Sequence, residues 1–413
     1  SARGSMLHPK LGRVMNVVYY HSVVFALMST TLRIRSCRKC LRLEKVSRTY
    51  TIYSFFVGIF LFLNLYFMVP RIMEDGYMKY NIVLQWNFFV MLFLRAIAVV
   101  SCYGTLWLKR HKIIQLYKYS LIYWKRFGHI TRAIVDKKEL LDLQESLARI
   151  MIRKIILLYS AFLCSTVLQY QLLSVINPQI FLAFCARLTH FLHFLCVKMG
   201  FFGVLVLLNH QFLVIHLAIN ALHGRKARKK WKALRSVAAM HLKTLRLARR
   251  IFDMFDIANA TVFINMFMTA INILYHAVQY SNSSIKSNGW GILFGNGLIV
   301  FNFWGTMALM EMLDSVVTSC NNTGQQLRQL SDLPKVGPKM QRELDVFTMQ
   351  LRQNRLVYKI CGIVELDKPA CLSYIGSILS NVIILMQFDL RRQRQPINDR
   401  QYLIHLMKNK TKV

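Results

Sequence analysis

The stretch Ala370-Cys371-Leu372-Ser373-Tyr374-Ile375-Gly376-Ser377-Ile378-Leu379-Ser380-Asn381-Val382-Ile383-Ile384-Leu385-Met386-Gln387-Phe388-Asp389 carries a single charge, at its end. A bilayer core is crossed by about 20 apolar residues of helix. In hydrocarbon every backbone N–H and C=O must find its partner within the segment, so this run is expected to be a transmembrane helix. Pro369 can open a helix but cannot continue one. That places the start of the run there, and predicts that a preceding cytoplasmic helix ends near Lys368. Working outward, six more blocks of the same kind lie upstream, at residues 51–69, 82–104, 150–175, 180–217, 257–280 and 289–312. The expected fold is all-α, with seven transmembrane helices; alternation of the barrel type is absent from the sequence.

Of the 413 residues 55% are hydrophobic and only 17% charged, yet the net charge is +36. In a soluble protein that charge would point to nucleic acid. Here the basic residues sit between the apolar blocks and suit cytoplasmic loops facing anionic lipid, so membrane lipid is expected as a partner and nucleic acid is not. The loops alternate. The segment after Leu32 holds Arg33, Arg35, Arg38, Lys39, Arg42, Lys45 and Arg48, whereas Pro70–Asn81 has only Arg71 and Lys79. Leu106–Arg149, His223–Arg250 and Leu313–Lys368 are basic; the loop near Val175 is uncharged and Tyr280–Asn288 has only Lys286. Positive loops stay inside, which predicts a cytoplasmic N-terminus and an outside C-terminus. The basic tail, from Arg391 to Lys412, is the one segment that this orientation places against its preference.

Residues 1–5 (SARGS, ahead of Met6) read as a cloning remnant with no cleavable signal peptide after them. Residues 6–50 are expected to form a cytoplasmic or interfacial segment, in which Val14–Leu32 is apolar enough for an interfacial or re-entrant helix, or for an extra span. Residues 51–312 hold the first six spans with cytoplasmic extensions, 313–369 cytoplasmic anchor helices, 370–389 the last span and 390–413 a short basic tail. Apolar spacing supports helices beyond the membrane: Leu234, Val237, Leu242 and Leu245 in one loop, and Leu344, Phe347, Leu351 and Tyr358 in another. Membrane-surface amphipathic helices are the other reading of these stretches.

Polar groups inside spans are costly and face a cavity or a partner. Arg187, His190 and His193 recur every three residues, followed by Lys198. Gln85-Trp86-Asn87, Arg95, Gln169-Tyr170-Gln171, Asn272, Tyr275, His276 and Trp290 add to them, mostly in the outer half. A ligand pocket open to the outside is expected from Gln85, Trp86, Gln169, Tyr170, Arg187, His190, Tyr275, His276 and Trp290. Interhelical hydrogen bonding is the alternative for each singly. No third ligand accompanies His190 and His193, and the Cys37/Cys40 pair has no second pair at zinc spacing, so no metal or other cofactor is expected. No Ser/His/Asp set, phosphate loop or acid pair suggests an enzyme. Asn282-Ser283-Ser284 is a glycosylation sequon in a loop assigned to the outside.

The last block resembles the terminal signature of the insect gustatory receptors, part of the insect chemoreceptor superfamily. Gln387-Phe388 matches its Gln-Phe after five apolar residues, and Ser380-Asn381 stands where Thr-Tyr is usual. Gly362-Ile363-Val364-Glu365-Leu366 resembles the family's junction, with Val364 in place of Phe. The resemblance implies a tastant-gated, nonselective cation channel in the plasma membrane of sensory dendrites. It also implies a homotetramer, or a heteromer with other gustatory receptor subunits, whose last helix lines the pore. On that basis Ile383, Ile384 and Leu385 are expected to gate by excluding water, Gln387 to filter, and Asp389 to draw cations to the outer mouth. By elimination against sugar and carbon dioxide receptors, the tastant is expected to be bitter or aversive. A G-protein-coupled receptor would need the N-terminus outside, and a transporter two similar halves with broken helices; the sequence has neither Asp-Arg-Tyr nor Asn-Pro-x-x-Tyr at the positions the former requires.

Overall fold

The computed structural model describes residues 8–29, 34–37, 40–43, 48–68, 82–171, 178–222, 227–281, 289–331 and 337–410. Asn282 lies outside these residues. Seven helices are long and apolar enough to cross a membrane, and the protein is a multi-pass helical membrane protein. In order they are α2 (Arg48–Asn64, extended by a 3-10 turn Tyr66–Met68), α3 (Ile82–Leu108), α5 (Lys137–Gln171), α6 (Pro178–Asn220), α7 (Ala227–Ser281), α8 (Gly289–Asn321) and α11 (Lys368–Lys410), with α1 (Pro9–Val24), α4 (Arg110–Ile134), α9 (Thr323–Ser331) and α10 (Pro338–Gln353) between them.

Helix length shows how far the bundle reaches past a membrane. At 1.5 Å per residue the 55 residues of α7 span about 80 Å and the 43 of α6 about 65 Å. A hydrocarbon core is about 30 Å thick, so both project well beyond it. Their projecting parts pack with α4, α9 and α10 at the basic end of the bundle. There Tyr123 of α4 lies 2.9 Å from the Met240 carbonyl and 2.6 Å from Thr244 Oγ1 of α7; burial pushes its phenol pKa up. His241 meets the Cys320 carbonyl at 3.2 Å. Leu234, Val237, Leu245, Leu344 and Phe347 are all buried in the same core. These extensions are packed helices rather than ones lying on a surface.

The N-terminal segment forms a helix of 16 residues, about 24 Å long and too short for a span. It docks on α5 and α6, with Val18 against Gly203 and the His21 ring bonded to the Tyr159 hydroxyl. At Ala26 the backbone turns to φ +51° and the helix stops. Strands β1 (Ile34–Cys37) and β2 (Cys40–Leu43) then pair as a hairpin that sets Cys37 opposite Cys40 in the backbone register.

One expectation fails between α10 and α11. The cytoplasmic helix does not run to Lys368; it ends at Gln353. An extended stretch follows, then a hairpin of β3 (Lys359–Ile360) and β4 (Val364–Glu365). Two contacts decide this. Asn321 at the end of α8 accepts from the Leu356 N–H at 3.0 Å and donates to its carbonyl at 2.9 Å, so the strand is satisfied without helical bonds. The hairpin turn then takes left-handed positions at Cys361 and Gly362, φ +49° and +71°. Asp367 restarts the chain as a helix by accepting from the Ala370 N–H at 2.8 Å. Replacing Asn321 with alanine removes both bonds to Leu356. It is expected to cost about 2 kcal/mol, read as a lower Tm of the purified protein and faster proteolysis between Asn354 and Tyr358. The tail also differs from expectation: α11 continues through residue 410 as one 43-residue helix.

Candidate functional site

Near the middle of the bundle five helices leave a cavity. Its walls are Arg95 of α3, Leu158 and Ala161 of α5, Phe191, Phe194, Leu195 and Lys198 of α6, Asn265, Met266 and Thr269 of α7, and Phe301, Asn302, Gly305 and Thr306 of α8. It is narrow, with a free volume of about 40 Å³, and is partly open to the exterior. Each wall follows from helix periodicity. Phe191, Phe194, Leu195 and Lys198 recur at three- and four-residue steps, as do Phe301, Asn302, Gly305 and Thr306, which puts each set on one face.

The polar groups are arranged by their own helices. Asn302 Nδ2 donates to the Leu298 carbonyl at 2.9 Å and Thr306 Oγ1 to the Asn302 carbonyl at 2.9 Å. Asn265 is buried, and its Oδ1 receives no hydrogen bond. The Arg95 guanidinium carbon stands 5.8 Å from the centre of the Phe194 ring, and its buried Nε is unpartnered. Lys154 donates to the Gly305 carbonyl from outside the cavity wall and lies 5.3 Å from the Phe202 ring centre. Arg187 lies within electrostatic range of Arg95, Arg95 of Lys198 and Lys198 of Lys154, so each neighbouring pair of these bases repels. No carboxylate lines the cavity.

Of the residues expected to form a pocket, the structure brings some together and separates others. Arg187 reaches across to the Met68 carbonyl at 3.1 and 3.3 Å. His276 lies within its electrostatic reach, and His190 lies within reach of Arg95. His190 and Tyr275 are fully buried. The neighbouring Asn87 donates to Asn272 at 3.0 Å, an interhelical bond as the alternative reading had it. Gln169 is bonded within its own helix, to Ser165 at 2.9 Å, and Gln85 is half-buried. Trp86, Tyr170 and Trp290 are 65%, 69% and 63% exposed and do not join a pocket within the chain. All three stand near the helix ends opposite the basic loops, where aromatic side chains commonly form interfacial belts. None of the nine expected residues lines the cavity. Sequence reading singled out Arg95 and Lys198 as charges within spans, but missed Asn265, Asn302 and Thr306. Those three sit singly in apolar runs, with only their polarity to mark them. No group of three metal-ligating side chains occurs among the described residues.

The last helix is partnered on one face only. Cys371, Ile378, Val382 and Asp389 are buried, at steps of seven, four and seven, and Tyr374, Leu385 and Met386 pack beside them on α7 and α8. Leu385 is therefore on the packed side, while Ile383 and Ile384 are 53% and 48% exposed. Asp389 is 8% exposed and lies on the packed face of the helix. At about 100° per residue, Gly376, Ser380 and Gln387 fall opposite the packed stripe, flanked by Ile383 and Ile384.

Comparison with known proteins fits this architecture. A model of the family described as 7tm chemosensory receptor matches residues 15–392. The chain is 24% identical over 367 residues to a Drosophila melanogaster protein named putative gustatory receptor 58a, covering 85% of this chain and 92% of that one. Among solved structures it resembles the insect olfactory receptor OR5 from Machilis hrabei in complex with eugenol, with TM-score 0.63 and 12% identity, over 92% of this chain and 99% of that one. A second solved structure of the insect olfactory receptor OR5 from Machilis hrabei gives a TM-score of 0.60, at 12% identity over 92% of this chain and 98% of that one.

Proposed function

We propose, since the chain belongs to the 7tm chemosensory receptor family, that it is a gustatory receptor working as a ligand-gated, nonselective cation channel. A small tastant enters the central cavity, and α11 from each of several subunits, four in a homotetramer or in a heteromer with related subunits, lines the pore. The observation that carries this reading is the two-sidedness of α7 and α8. Asn265, Met266 and Thr269 of α7 line the cavity, while Phe267, Ala270 and Ile271 between and beyond them pack on α11. On α8, Phe301, Asn302, Gly305 and Thr306 line the cavity and Phe303 packs on α11. A molecule that wedges or rotates these helices changes the seat of α11 directly.

Three further points agree. The relative from Drosophila is named a gustatory receptor, and one solved neighbour was captured with eugenol. A stripe of glycine, serine and glutamine is a poor lipid-facing surface, whereas around a central axis Gln387 amides can replace part of an ion's hydration and the flanking isoleucines can close by dewetting. The basic end, with its packed helices, suits the cytoplasm, which leaves Trp86, Tyr170 and Trp290 at the outer interface. A second cavity below the first is lined by Tyr358, Ile360 and Leu366 of the hairpin segment, and shares Met266 and Lys198 with the first. It offers a second route from the ligand to the base of α11. There Tyr358 packs on Phe252 at 4.4 Å and takes a bond from Asn259 at 3.3 Å, and burial pushes its phenol up to about 12. The tastant is assigned to the bitter or aversive class, and the plasma membrane of sensory dendrites is the assigned site of action. Patch recording from cells expressing the chain alone or with related subunits tests the reading. Tastants are expected to evoke a cation current that survives G-protein blockade by GDP-β-S; loss of the current under blockade would assign it to a coupled receptor instead.

A further inference from the structure

Lys198 and Arg95 set a chemical condition on whatever fills the cavity. A charged side chain among membrane-spanning helices is costly unless partnered. Lys198 makes no hydrogen bond or ion pair with any described residue. Arg95 has only a 3.9 Å contact with Met68 Sδ, the Phe194 ring and an unpartnered Nε. The two repel each other, and Arg187 and Lys154 add to the same positive potential from either side. The rest of the wall is aromatic or apolar, with Phe191, Phe194 and Phe301, and with amides and hydroxyls from Asn265, Asn302 and Thr306. Such a site repels protonated amines. It favours an anionic head on an apolar body, because an anion offsets the desolvation cost that the cavity's own groups leave unmet.

We infer that the ligand of this cavity is a small organic acid, bound as its carboxylate between Lys198 and Arg95 with its apolar body on Phe191, Phe194 and Phe301. This rests on the cavity being the ligand site, and goes beyond that reading by naming the class. Lys198 borders both cavities, so a carboxylate that draws its ammonium upward also empties the lower one. The Asn265 amide can serve either end of such a ligand, since its oxygen and nitrogen exchange by a χ2 flip.

The test is thermal stabilisation of the purified full-length protein at pH 7.5 by matched probes: 3-phenylpropanoate and octanoate, their primary amides, and their amines. The acids are expected to raise Tm, the amides to need roughly ten-fold higher concentration, in keeping with the loss of a charge-assisted hydrogen bond, and the amines to have no effect. Lys198→Met is expected to abolish the response to acids and to raise the ligand-free Tm, because it deletes a half-buried charge that no described residue pairs; a purely structural lysine would lower it. If the amides equal the acids, and both effects vanish when Gly305→Leu fills the cavity, the site stands and the acid assignment falls. If the acids still act on Gly305→Leu, the cavity reading falls as well. An absence of any shift with millimolar acid also overturns the assignment.

Discussion

Replacing Ile383 and Ile384 together with serine is expected to raise the current carried without ligand by about ten-fold or more. The argument starts from where these side chains stand. The packed face of α11 is the Cys371, Ile378, Val382 and Asp389 stripe against α7 and α8. Ile383 and Ile384 are half exposed and flank Gln387, which is exposed too. If that face surrounds an axis, each subunit adds two branched apolar side chains to a ring, and a narrow apolar ring holds the pore shut by expelling water. Fully burying one such side chain is worth about 1.5–3 kcal/mol, and 1.4 kcal/mol is a factor of ten in an equilibrium. Serine hydroxyls wet the ring, and the closed state loses that margin. Because neither residue belongs to the packed stripe, the substitution spares the contacts that seat α11. Surface labelling should therefore find as much protein at the membrane as for the parent chain. Whole-cell recording without tastant makes the measurement. An unchanged resting current with normal surface expression would remove these residues from the pore, and leave the exposed face of α11 to lipid.

The parts of this molecule that were legible in the sequence are those that hydrocarbon dictates. A helix in lipid needs about 20 apolar residues whatever its neighbours, so each of the seven blocks has a long helix among the described residues. The extension of α7 was legible as periodic apolar residues, Leu234, Val237, Leu242 and Leu245. The segment after α10 was not. Leu344, Phe347, Leu351 and Tyr358 keep a helical spacing, and Tyr358 is indeed buried; but it reaches the core from an extended strand, held by an asparagine 35 residues upstream. Spacing cannot reveal such a tertiary contact. The expected pocket residues were ambiguous for a related reason. Trp86, Tyr170 and Trp290 carry polar atoms on large apolar bodies, which suits an interface as well as a pocket, and only exposure separates the two. Asp389 was read from its place at the end of an apolar run. Its side is set by being seven residues beyond Val382, on the packed stripe. Lys154 was overlooked because it opens a block next to a basic loop, and its distinction is the neighbouring helix's Gly305 carbonyl.

Gly305→Leu is expected to abolish the response to every ligand while leaving the leak of the Ile383/Ile384 serine variant intact. Gly305 lines the cavity, and a Cβ built there meets only Lys154 Nζ, at 3.9 Å. The first carbon of an added side chain therefore meets no backbone. Leucine also suits the interior of a helix better than glycine by about 0.5–1 kcal/mol, so the fold is not expected to weaken. The Lys154 bond is to the Gly305 carbonyl, which any residue supplies. What is lost is room: a leucine side chain occupies much of the narrow space between α5, α6 and α8, and a ligand that must sit there is excluded rather than merely weakened. Combining the substitution with the two serines separates binding from gating within one protein. If cavity and pore are distinct stations joined by α7 and α8, the triple variant conducts at the serine variant's resting level and ignores tastant. If the leucine instead silences the leak, it has acted on the seat of α11, and the block cannot be assigned to the cavity. If tastant still adds current, the ligand binds elsewhere, and the two-sided arrangement of α7 and α8 does not carry its signal.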